Sequence, residues 1–160
     1  MGVLRFNRPV INVSNMEQSL DFYCGKLGMV VVSDNRMSDP VRAPFKTMVE
    51  EAIGVPDLDV RFVFIEAPGG GNRLGVGREM ELIHWAKPEW KSAPQHPNPP
   101  VVGVPMVWPA FVVDNLQALY DDLMSQGVKF RGNLCKLPDG RGLAYAIDPN
   151  GYTVELSGTL

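Results

Sequence analysis

The sequence is poor in the side chains that most often hold metals or form cross-links. Among 160 residues there are two cysteines, Cys24 and Cys135, and two histidines, His84 and His96. Two thiols do not make a disulfide framework; both read as small, half-buried side chains in a reducing, cytoplasmic setting. No apolar run approaches the roughly 20 residues that a membrane span needs. The opening stretch, Met1 to Val10, has no apolar core and carries Arg5 and Arg8 early, so a secretory leader is not expected. Phe6 stands where a myristoylation signal wants Ser or Thr. The formal net charge of -3 comes without any cluster of Lys and Arg, which excludes the basic face that nucleic-acid phosphates require. Neither nucleic acid nor membrane is an expected partner. A small molecule is.

What the chain does have is a repeat. Arg8-Pro-Val-Ile-Asn-Val-Ser-Asn-Met16 and Trp108-Pro-Ala-Phe-Val-Val-Asp-Asn-Leu116 match at Pro9 and Pro109, Val13 and Val113, Asn15 and Asn115, all at one spacing. Each stretch runs into a helical stripe: Met16, Leu20, Tyr23 and Leu27 in the first, Leu116, Leu119, Tyr120 and Leu123 in the second. Gly28 and Gly127 stop the helices, and apolar strand starts follow at Met29–Val32 and Val128–Phe130. The ends agree as well. Val60–Ile65 precedes a strand holding Met80-Glu-Leu-Ile83, and Leu143–Ile147 precedes one holding Val154-Glu-Leu156, with a turn at Asp148-Pro-Asn-Gly151. The pattern predicts an α+β fold made of two tandem β-α-β-β-β modules.

Two segments break the symmetry. Residues 35–57 are an insertion with a short helix expected over Phe45–Ile53, ended by Gly54 and Pro56. The stretch from Lys87 to Val107 holds Pro88, Pro94, Pro97, Pro99, Pro100 and Pro105, too dense for a helix or a central strand. The expected organisation is one domain: a first module over 1–86, a proline-rich crossover over 87–105 and a second module over 106–160. The glycine-rich run Gly69–Gly77 is followed neither by Gly-Lys-Ser/Thr nor by a helix, so it reads as a hairpin loop and not a phosphate cradle.

At this level of detail the chain resembles a known family. Ser14-Asn-Met-Glu-Gln-Ser-Leu-Asp-Phe-Tyr23 with Lys26-Leu-Gly28 resembles the opening of the vicinal oxygen chelate superfamily of glyoxalases, bleomycin-resistance proteins and extradiol dioxygenases. Phe111–Leu116, Asp148–Gly151 and Val154–Leu156 resemble its second-module signatures. Gly54-Val-Pro56 through Ala67-Pro-Gly-Gly70 to Glu81-Leu82 is similar to a subgroup with a helix inserted after the second strand. The resemblance implies modules placed edge to edge, their curved mixed sheet half-enclosing a central cavity, and it favours a homodimer. In the members that do chemistry it also implies a divalent metal in that cavity, held by histidine from the first strand and a carboxylate or glutamine from the last strand of each module.

Carried onto this sequence, those four positions are Arg8, Glu81, Trp108 and Glu155. Both carboxylates are present and both histidines are missing. Alternation along the strands turns Arg8, Val10 and Asn12 one way, with Trp108, Ala110 and Val112, then Glu81, Ile83 and Trp85, then Thr153 and Glu155, and Leu143, Tyr145 and Ile147 beside them. His84 is out of phase with Glu81 and should face the other side, while His96 falls in the crossover. An arginine carries a permanent charge and cannot become a ligand. Two glutamates alone are too few donors for a transition metal. No metal site and no other cofactor is therefore expected.

Three functions follow from different classes. The first is a metal-independent lyase or isomerase with Arg8, Glu81 and Glu155 as catalytic residues. A glutamate moves a proton, and Arg8 stabilises the resulting oxyanion. Asn12, Ile83, Trp85, Trp108, Val112 and Tyr145 would then bind a planar or aromatic, oxygen-bearing ligand. The second is a non-catalytic binder of a drug or metabolite, in which Arg8 simply pairs with a carboxylate. The third is a metal-dependent lyase or dioxygenase, which the missing histidines disfavour. Charged groups are costly to keep in a cavity, which tilts the reading towards chemistry.

Overall fold

Each half of the chain builds the same four-stranded sheet. The structure is a computed structural model that describes residues 8–68, 79–88, 109–137 and 140–160. It divides into two compact units, Met1–Ala93 and Pro94–Leu160. The first contains β1 (Val10–Asn12), α1 (Met16–Leu20) running on into a π-helical turn (Asp21–Lys26), and β2 (Val30–Arg36). A 3-10 turn (Pro40–Arg42) then leads into α2 (Ala43–Ile53), followed by β3 (Asp59–Glu66) and β4 (Glu79–Lys87). The second contains β5 (Ala110–Val113), α3 (Leu116–Ser125), β6 (Cys135–Lys136), β7 (Gly142–Ile147) and β8 (Thr153–Gly158). The strand orders are β1-β4-β3-β2 and β5-β8-β7-β6. In each, the first strand lies parallel to the last and the remaining pairs are antiparallel. The two tandem β-α-β-β-β modules expected from the sequence are present.

The repeated residues do repeated work. Asn15 caps α1 by accepting the N–H of Gln18 at 3.1 Å, and Asn115 caps α3 by accepting that of Ala118 at 2.9 Å. Gly28 and Gly127 take positive φ (73° and 78°) where the chain leaves the helices, a conformation that a Cβ penalises. Alternation then sorts the strands. Ile11, Val13, Val63, Ile65 and Leu82 are buried in the first unit with Met16, Phe22 and Tyr23; Ala144, Ala146, Val154 and Leu156 are buried in the second with Leu116 and Leu123.

The units differ on the opposite sheet face. In the first, α2 packs there, and it begins two residues earlier than the expected Phe45. Met37, Leu58, Val60 and Phe62 form a buried cluster, with Val49 and Val55 packed against it. The rings of Phe45 and Phe62 lie 6.0 Å apart. Strand β3 is thus covered on both sides, which explains why Val60-Arg-Phe-Val-Phe-Ile65 reads as a nearly continuous apolar run. In the second unit no described helix matches α2, and β7 alternates small buried alanines with half-buried Leu143, Tyr145 and Ile147.

One element differs from expectation. The second module's strand was expected to start at Val128–Phe130, but Phe130 makes only an isolated bridge to Ala146, and the paired strand is Cys135–Lys136. Gly132 and Asn133, poor strand formers, interrupt the ladder. The Gly69–Gly77 loop, most of the crossover, Trp90, His96 and Trp108 lie outside the described residues. Among the described residues, no helix is long and apolar enough to cross a membrane.

Gly158 supplies a direct test of the β5–β8 pairing. A Cβ there would stand 2.0 Å from the Val113 carbonyl oxygen, whereas one on Gly132 meets nothing within 4 Å. Gly158→Ala should cost about 3 kcal/mol or more in urea denaturation, and Gly132→Ala should change stability far less. Equal stability of the two variants would contradict the pairing.

Candidate functional site

The last strand of each unit presents a glutamate at the same register. Glu81 lies opposite Val10, and its N–H bonds the Pro9 carbonyl at 3.0 Å; Glu155 lies opposite Ala110, and its N–H bonds the Pro109 carbonyl at 2.9 Å. This is the sequence repeat expressed as hydrogen bonds. It places each acid on the sheet face turned away from α1 or α3, because the neighbouring Met80, Leu82, Val154 and Leu156 are buried on the other.

In the first unit the Arg8 Nε donates to Glu81 Oε2 at 2.9 Å, with side chains 26% and 13% exposed. The guanidinium carbon sits 4.5 Å from the centroid of the Phe64 ring, and Phe64 is the register partner of Glu81 on β3. Salt bridge and ring together fix the cation. Arg8 Nη1 and Nη2 and Glu81 Oε1 have no partner among the described residues. Further along the face, the Trp85 indole donates to Asn12 Oδ1 at 2.9 Å. Ile83 and Trp85 are half-buried and also pack against the cluster under α2, so this end of the face is partly filled by protein.

His84 points to the other side, as expected from phase. Its register partner is Arg61, which holds Asp34 by two hydrogen bonds of 2.9 and 2.7 Å and also bonds Glu17. The Arg61 guanidinium beside Asp34 keeps that carboxyl below the usual carboxylate range. This network ties β2, β3 and α1 together and is structural.

In the second unit Glu155 faces Tyr145 across the β7–β8 ladder, which sets the carboxylate beside the phenol. Val112 shares this face and is 83% exposed, so it contributes open apolar surface. Thr153, on the same strand face, is buried and accepts from Arg131 Nε at 2.6 Å. Trp108, the repeat counterpart of Arg8, lies outside the described residues.

Sequence reasoning missed Phe64 and the reach of α2. The facing of β3 was the missing step, and the hairpin register would have supplied it: Phe64 lies opposite Glu81 and Phe62 opposite Ile83. An open cleft of about 490 Å³ lies elsewhere, lined by Asp34, Asn35, Arg36, Ser38, Asp39, Val41 and Arg42, and includes none of the expected site residues.

The donor set does not fit a divalent metal of the kind the resemblance implies. A guanidinium stands at the first-strand position and takes Oε2 of the adjacent carboxylate. Among the described residues, no group of three or more His, Cys, Asp or Glu is arranged to hold an ion.

Burial, then the nearby Glu155 carboxylate, push the Tyr145 hydroxyl above its ordinary range. A raised folded-state value means that this contribution is fully present below the ordinary tyrosine range and is lost as pH rises through the folded value. Ultraviolet titration should find Tyr145 and Tyr152 ionising late, and Glu155→Gln should move the Tyr145 transition alone part of the way back towards the ordinary tyrosine range. An unchanged titration in that variant would separate the two side chains.

The comparisons with known proteins agree with this geometry. The family model of the Glyoxalase/Bleomycin resistance protein/Dioxygenase superfamily matches residues 5–156. A lactoylglutathione lyase of Schizosaccharomyces pombe is 28% identical over 166 residues, covering 98% of this chain but only 48% of that protein, so the chain spans about half of its relative's length. A glyoxalase family protein from Bacillus cereus superposes with a TM-score of 0.79 at 16% identity, covering 100% of this chain and 97% of that one. The trypanothione-dependent glyoxalase I of Leishmania major superposes with a TM-score of 0.63 at 19% identity, covering 98% and 87%. Two repeated modules with matching glutamates, and a family match over nearly the whole length, place the chain in the glyoxalase/bleomycin resistance protein/dioxygenase superfamily.

Proposed function

We propose that this protein binds a small oxygen-bearing molecule on the open face of its first unit and moves a proton on it without a metal ion. The observation that carries this reading is the Arg8–Glu81 pair at 2.9 Å, which stands where the resemblance calls for metal ligands. One ion pair then supplies both tools. Glu81 Oε1 takes the proton from a carbon next to a carbonyl, and the Arg8 Nη groups hold the oxygen that gains the charge. Where the deprotonated carbon carries a hydroxyl, that hydroxyl passes its proton to the other oxygen and becomes the new carbonyl, and returning the abstracted proton to the neighbouring carbon gives an isomerase. Loss of a leaving group from the same intermediate gives a lyase. Glu155, with the Tyr145 hydroxyl, is a second candidate for a proton step, in the second unit.

A non-catalytic binder is the alternative reading. It is favoured by the fact that Oε2 of Glu81 is already engaged by Arg8.

Chelator-treated protein incubated in heavy water with lactoylglutathione and a panel of α-keto acids, followed by proton NMR, separates the readings. Proton transfer predicts deuterium at carbon in at least one bound compound, without added metal. Glu81→Gln should slow that exchange about a hundredfold or more with binding retained, and Arg8→Gln should slow it by about a hundredfold. Exchange only after zinc, nickel, iron or manganese is added would overturn the proposal. Binding without exchange in the wild type would assign the binder instead.

A further inference from the structure

The Asn12 side chain is oriented by Trp85, and this fixes what the open face can recognise. An indole N–H only donates, so the atom of Asn12 that receives it at 2.9 Å is the carbonyl oxygen Oδ1. The amide nitrogen of Asn12 is thereby turned away from the indole, and it has no partner among the described residues. Arg8 likewise presents Nη1 and Nη2 with only its Nε engaged. Asn12 and Arg8 share one strand face, four residues apart, with Val10 between them and Ile83 alongside as the register partner of Asn12. Val10 is 53% exposed, so the floor between the two donors is apolar and open. Four residues of strand span about 13 Å.

From this we infer that the first unit selects ligands with two hydrogen-bond acceptors separated by an apolar body. A carboxylate or enolate sits at Arg8, and a neutral carbonyl sits at the Asn12 amide. The inference deepens the proton-transfer reading and rests on Arg8 as the ligand's anchor. Trp85 is a positioning residue: it does not touch the second acceptor but prevents the amide from presenting its oxygen. A ligand whose second group can only donate, such as an ammonium, meets only N–H groups there and gains nothing.

Isothermal titration with rigid aryl keto acids tests this. The probes are para-acetylbenzoate and its biphenyl homologue, each against the isosteric isopropenyl acid, which lacks the ketone oxygen, and against the methyl ketone, which lacks the carboxylate. At the better-fitting length, the keto acid should bind roughly five- to tenfold more tightly than the isopropenyl acid. Asn12→Leu should abolish that advantage and leave the isopropenyl acid unaffected. Trp85→Phe keeps Asn12 but frees its amide, and should shrink the advantage without removing it. Arg8→Gln should weaken both acids equally and spare the methyl ketone. Acids that bind through Arg8 with no preference for the ketone at either length would overturn this inference and leave the proton-transfer reading standing. Acids that fail to bind, or bind equally well to Arg8→Gln, would overturn both.

Discussion

A guanidinium bonded to a half-buried carboxylate and seated on a phenyl ring sets the character of the first unit. Removing either charge would leave the other on a partly desolvated face, so the two must be kept or lost together. The pair also puts a permanent positive charge at the first-strand position, where it engages one oxygen of Glu81.

The duplication explains why this arrangement is possible. Both units use the same register to place a glutamate beside the first strand, through bonds from Glu81 to Pro9 and from Glu155 to Pro109. The scaffold is thus held by backbone bonds that any residue but proline could donate, and the side chains projecting from it are free to diverge. One unit pairs its glutamate with arginine and the other with tyrosine. The inserted α2 adds a further difference, burying Val60 and Phe62 on a face that no described helix covers in the second unit.

Much of this was legible in the residues. Pro9 and Pro109, Asn15 and Asn115, Gly28 and Gly127 act locally, as strand entry, helix cap and helix stop, so they report the repeat without any tertiary contact. The strict period of two also fixed the facing of Glu81 and Glu155, because their neighbours Leu82, Val154 and Leu156 are unambiguously apolar. The strand break after Phe130 was not legible: apolar residues can start a strand, but only the partner strand decides how far the ladder runs.

Sequence by itself determined the duplicated β-α-β-β-β plan, the family, and the replacement of histidine by Arg8 and Trp108, since each depends on residue identity and spacing along the chain. Tertiary structure alone decided that Arg8 bonds Glu81 over Phe64, that Trp85 packs against the cluster beside α2, and that the Asn12 amide is turned by an indole. The two hydrogen bonds each join residues 73 positions apart. Their partners are chosen by strand register, a property of two segments together that neither carries alone.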